Sequence, residues 1–113
     1  WGLAPDELAA GLADVRERAE RAGRDPGSVT ATWGGQVLVA EERRQAEALL
    51  ADWAADRPPA DVARLVAGDP ETVVGRLRAL ADAGASWCVV ATVGGPAASM
   101  RRLLAAAAGL RPI

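Results

Sequence analysis

GDPETVVGRLRALADAGASWCVVATVGG, residues 68–95, is one capped helix handed through a glycine to one strand. Asp69 offers a carboxylate to the free N–H groups of the first turn, and Pro70 has no N–H to waste at the first helical position. Val73, Leu77, Leu80 and Ala81 recur at spacings of three and four, an apolar stripe on one side. Gly84 stops the helix where a left-handed residue is wanted. Trp87 to Val93 follows as a nearly continuous apolar run, the pattern of a parallel strand covered on both faces. Helix then buried strand is half of a β/α unit, and such a strand needs neighbours.

Working outward, a first helix is expected from Pro5 to Ala22, with Leu8, Leu12, Val15, Ala19 and Ala22 on one face. Gly11 weakens it by about 1 kcal/mol relative to Ala, a cost that a closely approaching neighbour would explain. Arg16 and Arg18 with Glu17 and Glu20 read as solvated helix-face charges. Gly23 ends this helix, and Asp25-Pro26-Gly27-Ser28 is a turn. From Val29 to Ala40 two readings compete. Gly34-Gly35 between β-prone runs is a hairpin signal, which local pattern slightly favours; the other reading is one long strand with a bulge or close approach at the glycines. A helix over 41–55 buries Ala46, Leu49, Leu50 and Trp53, and Arg57-Pro58-Pro59 breaks it. Asp61 to Ala67 reads as a short helix with Val62, Leu65 and Val66 inward. A last helix, 98–108, points Met100, Leu103, Leu104 and Ala107 inward.

Composition excludes more than it selects. The chain has 113 residues, net charge −2, no His and one Cys. Without His, Ser–His and Cys–His nucleophile pairs cannot form, and a transition-metal site is not expected. All 13 cations are Arg, scattered singly or in pairs, so no basic nucleic-acid face is formed. The longest apolar run is far too short to cross a bilayer. Cys88 alone rules out an internal disulfide and fits a reducing, cytoplasmic setting. Placed inside the strand, it reads as a small apolar filler. Trp33, Trp53 and Trp87 read as core residues.

The Gly-Asp-Pro-Glu-Thr-Val segment (68–73) resembles the start of the last helix–strand unit of the bacterial-luciferase-like flavin monooxygenases. That family includes luciferase, alkanesulfonate monooxygenases and F420-dependent oxidoreductases. Three further landmarks follow the family's order. Trp1-Gly2 with Pro5-Asp6-Glu7-Leu8 resembles the exit from strand six into helix six, and Ala22-Gly23-Arg24-Asp25-Pro26 the break after that helix. Val37 to Glu42 with Gln45-Ala46-Glu47-Ala48 resembles strand seven running into helix seven.

The resemblance favours a single strand over 29–40, and implies an α/β fold that is the C-terminal part of a TIM (β/α)₈ barrel. About two parallel strands with surrounding helices are expected, residues 1–113 forming one partial domain from helix six to helix eight. A whole barrel takes about eight strands and 250 residues. The chain, which begins with Trp, is therefore expected to be a truncated product or part of a longer one. Where relatives carry a long lid insertion, roughly a dozen residues remain here.

Barrel active sites lie at the C-terminal ends of strands. Trp1, Gly2, Glu41, Thr92, Gly94 and Gly95 are thereby candidates for the cofactor or substrate rim, with no catalytic residue and no metal ligand among them. Trp1 would wall a pocket beside a flavin ring. Glu41 is read first as a carboxylate at a helix N-terminus, and Gly94-Gly95 first as a plain turn, second as a phosphate approach. Ala40 stands where alkanesulfonate monooxygenases commonly place an Arg, which argues against a sulfonate substrate. The implied function is oxidation or hydride transfer with FMN or F420 and a small-molecule substrate. The chain alone is expected to hold neither cofactor and to be inactive, and a homo-oligomer is allowed for. The competing expectation is a small non-enzymatic α/β module that self-associates through open strand edges.

Overall fold

The computed structural model describes residues 1–94 and 97–108. Five helices and three strands follow in the order α1 (Pro5–Arg21), β1 (Ala31–Val39), α2 (Arg43–Ala54), α3 (Pro59–Ala63), β2 (Val66–Gly68), α4 (Pro70–Asp82), β3 (Ala85–Thr92) and α5 (Ala97–Ala107), with a 3₁₀ turn at Pro26–Ser28. The sheet order is β2-β1-β3, and both pairings are parallel.

Residues 31–39 are one strand, so the hairpin reading falls. The two glycines mark close approach. A Cβ on Gly34 would lie 2.7 Å from the Trp1 ring, and one on Gly35 would lie 2.3 Å from the Trp33 ring. Side chains alternate along a strand, so the two indoles lie on opposite faces of the sheet, each over its own glycine. The one irregularity of the β1–β3 register falls earlier, between Ala31 and Thr32.

Three strands replace the two expected. The short helix expected to reach Ala67 ends at Ala63, and Val66–Gly68 becomes β2. Its register sets Val37 against Val66 and Val39 against Gly68. The Gly68 carbonyl also accepts from the Ala40 N–H at 3.1 Å. Pairing with β2 satisfies backbone groups at the buried C-terminal half of β1 that a continued helix would leave without partners. Leu65 and Val66 are buried all the same.

One face of the sheet is closed by helices. Trp33, Val37 and Val39 of β1 pack with Val73, Val74, Leu77 and Leu80 of α4, Leu8 of α1 and Leu103 of α5. Val74 therefore takes the place expected for Ala81, which is exposed. On α1 only Leu8 and Leu12 are buried, and Val15 is 49% exposed. Gly11 has nothing near it; the close approach is at Gly84, where a Cβ would meet Leu12 Cδ2 at 2.6 Å. A Schellman closure ends α1, with Gly23 N–H on Glu20 O and Arg24 N–H on Ala19 O. Within this helix the ion pairs are Arg18–Asp14 and Arg21–Glu17, both on the solvated face.

The opposite face is covered only at its C-terminal end. There Leu38 and Ala40 meet Ala46 of α2 and Leu65, with Leu49, Leu50, Trp53 and Val93 around them. The helix after β1 thus leaves the layer of α1, α4 and α5 and caps the other side. The expectation that residues 87–93 are covered on both faces fails. Trp87 is 67% and Val89 57% exposed, and β3 borders the sheet. Trp87 is not a core residue, Cys88 is exposed, and Leu104 also stands out from α5.

The outline is a slab, 50 × 34 × 17 Å, with a radius of gyration of 15.7 Å. A compact domain of this length has about 13 Å. The accessible surface is 7349 Å², against about 5,800 Å² for a folded monomer of this mass.

Candidate functional site

The parallel register defines what the open face carries. Thr32 stands beside Trp87, Gly34 beside Val89 and Gln36 beside Ala91, while Leu38 lies under α2. Small residues in this array leave a hollow, and the Trp1 ring lies over its middle at Gly34. Gly2 fixes that indole from behind. Its N–H donates to the Gly34 carbonyl at 2.7 Å, and its carbonyl accepts from Arg64 Nη1 at 3.4 Å. Arg64 also lies 3.8 Å from the Glu7 carboxylate, which itself accepts from the Ala4 N–H at the start of α1.

Above the hollow is a cleft of about 310 Å³ lined by Trp1, Gln36, Arg57, Asp61 and Arg64. Arg57 follows α2 and lies over the Trp53 ring at 4.2 Å, its Nε donating to the Trp53 carbonyl at 3.1 Å. A larger cleft of about 390 Å³ opens on the helix side, beside Leu3, Trp33, Val66 and Leu80. Its central indole N–H is taken by the Leu3 carbonyl at 2.8 Å, and it lies away from the C-terminal ends of the strands, beside Val66 at the start of β2. The smaller, more polar cleft is therefore the better candidate site.

The residues singled out from sequence separate into groups. Trp1 lines the cleft over the open face, while Gly2 is buried behind it and lines the larger, helix-side cleft. Glu41 lies just before α2 rather than in its first turn, and its carboxylate pairs with Arg102 Nη2 of α5 at 3.3 Å. Gly94 has a φ of +63° and sits against Leu38, where an added Cβ would come within 3.1 Å. Thr92 shares register with Val37, whose side chain is in the helix-covered core, so Thr92 faces away from the open side. Gly95 lies outside the described residues. Gln36, Arg57, Asp61 and Arg64 were missed. Alternation from Trp33 and Val37 was signal enough to put Gln36 on the other face, but nothing local announces that Arg57 and Asp61 fold back over it.

The Cys88 thiol is raised by desolvation, consistent with the apolar cleft of Leu77, Leu103 and Leu104 on its helix side. It is a poor thiolate at neutral pH despite its exposure. Among the described residues no cluster of His, Cys, Asp and Glu could hold a metal. No helix there is long and apolar enough to cross a membrane.

No family model and no curated protein matches the chain. Among solved structures, the coenzyme F420-dependent tetrahydromethanopterin reductase of Methanopyrus kandleri superposes on 91% of the chain with a TM-score of 0.60. The identity is 16%, and the chain spans 41% of the reductase's length. A likeness at that identity is one of fold: a parallel α/β arrangement shared over nearly the whole chain.

Proposed function

We propose that the chain is the C-terminal part of a luciferase-like barrel oxidoreductase that works with F420 or FMN, and that it supplies barrel closure and part of the active-site rim. The observation that carries this reading is the fold likeness to an F420-dependent reductase over 91% of the chain. It joins four sequence landmarks that run in the family's order. It also favours F420 over FMN. The slab outline and the open row of Trp87, Val89 and Ala91 support the same reading, since a barrel buries that face against its other strands.

The residues suit one wall of a cofactor site. The Trp1 ring, beside the polar cleft of Gln36, Arg57 and Arg64, offers an aromatic face against which a ring system can lie. A reduced deazaflavin, when bound, supplies a hydride; this chain orients, walls and excludes water. A monooxygenase reaction, a small-molecule substrate, a cytoplasmic setting and a homo-oligomer are further parts of the proposal.

A second reading has its own observation. β3 has no charged residue or proline along its length and pairs on one side only, the profile of an edge open to another chain. On that reading the chain is a non-enzymatic module that self-associates.

Titration separates the two. The 113-residue chain should show no saturable micromolar binding of F420 or FMN, and light scattering should find it oligomeric or aggregated. A longer protein that includes the preceding strands should be compact and bind one cofactor stoichiometrically. If that longer protein binds neither cofactor, the oxidoreductase reading is lost. A monodisperse 11.6 kDa chain with a sharp melt would remove the partial-barrel argument.

A further inference from the structure

We infer that the cleft above the open face is an oxyanion site, in which the Arg57 guanidinium and the Gln36 amide receive a phosphate or carboxylate group while the Trp1 ring backs the rest of the ligand. Arg57 is arranged as a receptor. Stacking on Trp53 and the single Nε bond to the Trp53 carbonyl fix its plane. Of its five N–H donors only that one is used among the described residues, so both terminal nitrogens remain for a bidentate acceptor. A guanidinium held in this way loses little side-chain entropy on binding.

Arg64, on the same cleft, is different, because Gly2 and Glu7 already occupy it. Its role is to hold Trp1 in place through Gly2. Gln36 is half-buried on the open face, and its amide makes no side-chain hydrogen bond among the described residues. Ala91 beside it leaves room for a ligand atom. Asp61 lines the cleft too, beside the two arginines.

The site stands on this geometry. The oxidoreductase reading enters only in naming two sources for the oxyanion, the substrate or the phosphate of F420. The test uses the longer protein that carries these residues, its fold checked by circular dichroism in every variant. Inorganic phosphate is titrated while Trp fluorescence is followed, with Trp1→Phe identifying the Trp1 signal. Separately, F420 is compared with its phosphate-free deazaflavin alcohol.

Losing a charge-assisted bond, Arg57→Ala should weaken oxyanion binding about 10- to 100-fold. Arg57→Lys should fall between, and Gln36→Leu should weaken it less. Weaker phosphate binding with F420 affinity unchanged assigns the oxyanion to the substrate. Weaker F420 binding with the phosphate-free form unchanged assigns it to the cofactor. Equal phosphate and F420 affinities in wild type and Arg57→Ala would overturn the site. If the phosphate-free deazaflavin still binds in that case, the oxidoreductase reading survives. An Arg57-dependent phosphate response in a protein that binds no F420 or FMN would keep the site and remove that reading.

Discussion

β1 and β3 are neighbours in one sheet, nine and eight residues long, and both are rich in apolar residues. Their surroundings differ. The last three residues of β1, Val37, Leu38 and Val39, are buried on both faces, while most of β3 is exposed. An apolar run states that a strand is to be covered, but not by what. β1 finds α4 and α5 on one side and α2 on the other within the chain itself. β3 finds helices on one face only. Each exposed large side chain forgoes about 1.5–3 kcal/mol of burial, against a total domain margin of about 5–15 kcal/mol. On the partial-barrel proposal, Trp87 and Val89 are the side chains that the other strands would cover.

The sharpest way to break this contrast is a pair of truncations in a longer protein that carries the preceding strands. Leu38→Ala should cost about 2–5 kcal/mol, as for any fully buried leucine. Val89→Ala should cost about 1–3 kcal/mol if the open face is covered there, and under about 0.5 kcal/mol if it stays in solvent. Denaturant midpoints with unchanged slopes would measure both. A negligible Val89 effect would mean that no other layer covers β3, and the barrel argument would go with it.

A smaller effect sharpens the comparison between the two faces of β1. Gly35→Ala drives a methyl into the Trp33 ring, which is buried under α4 and cannot swing away. Overpacking of that kind costs about 1–3 kcal/mol. Gly34→Ala meets the Trp1 ring, which is 69% exposed and anchored through the backbone of Gly2 rather than packed in a core, so a small shift of the ring should keep the cost under about 0.5 kcal/mol. Its mark should be a change in Trp1 fluorescence. Equal costs at the two glycines would show that Trp1 is as firmly held as Trp33.

Local signals carried the covered half of the molecule. The Asp69 cap, the Gly84 stop and the α4 stripe from Val73 to Leu80 were all legible, because each rests on short-range chemistry or on one period. The parallel pairing of β1 with β3 was legible only through the family resemblance, since local pattern leaned to a hairpin at Gly34-Gly35. β2 was not legible. Val66-Ala67-Gly68 is too short to show a strand period, and it is a strand only because β1 offers an unpaired edge beside it. The exposure of Trp87 and Cys88 was hidden for the same reason, since a sequence reports apolarity and not neighbours. Strand-end position led to Trp1, which lines the candidate cleft, and to its neighbour Gly2, which lies behind it. Arg57 and Asp61 were missed because a chain reversal at Pro58-Pro59 brings them over Gln36.

The smallest expected effect concerns α4, the helix that makes the covered face covered. Asp69 caps it, its Oδ1 accepting from the Thr72 N–H at 2.8 Å. Thr72, through its hydroxyl and then its N–H, holds the Asp69 carboxyl below its ordinary value of 3.8. A carboxyl acidified by folding adds stability above its unfolded pKa, and that stability is lost as the pH falls through the folded value. Asp69→Ala should therefore cost about 1 kcal/mol at neutral pH, and less as the pH drops below about 4. Asp69→Asn keeps a cap of similar strength but cannot titrate. It should remain near wild type at pH 7 and should not share the acid-linked loss. Thermal melts of the three proteins between pH 7 and pH 3 would decide it. An Asp69→Ala deficit that stayed constant across that range would mean that the cap acts through geometry alone, and that the charge on Asp69 does nothing to hold α4 over β1.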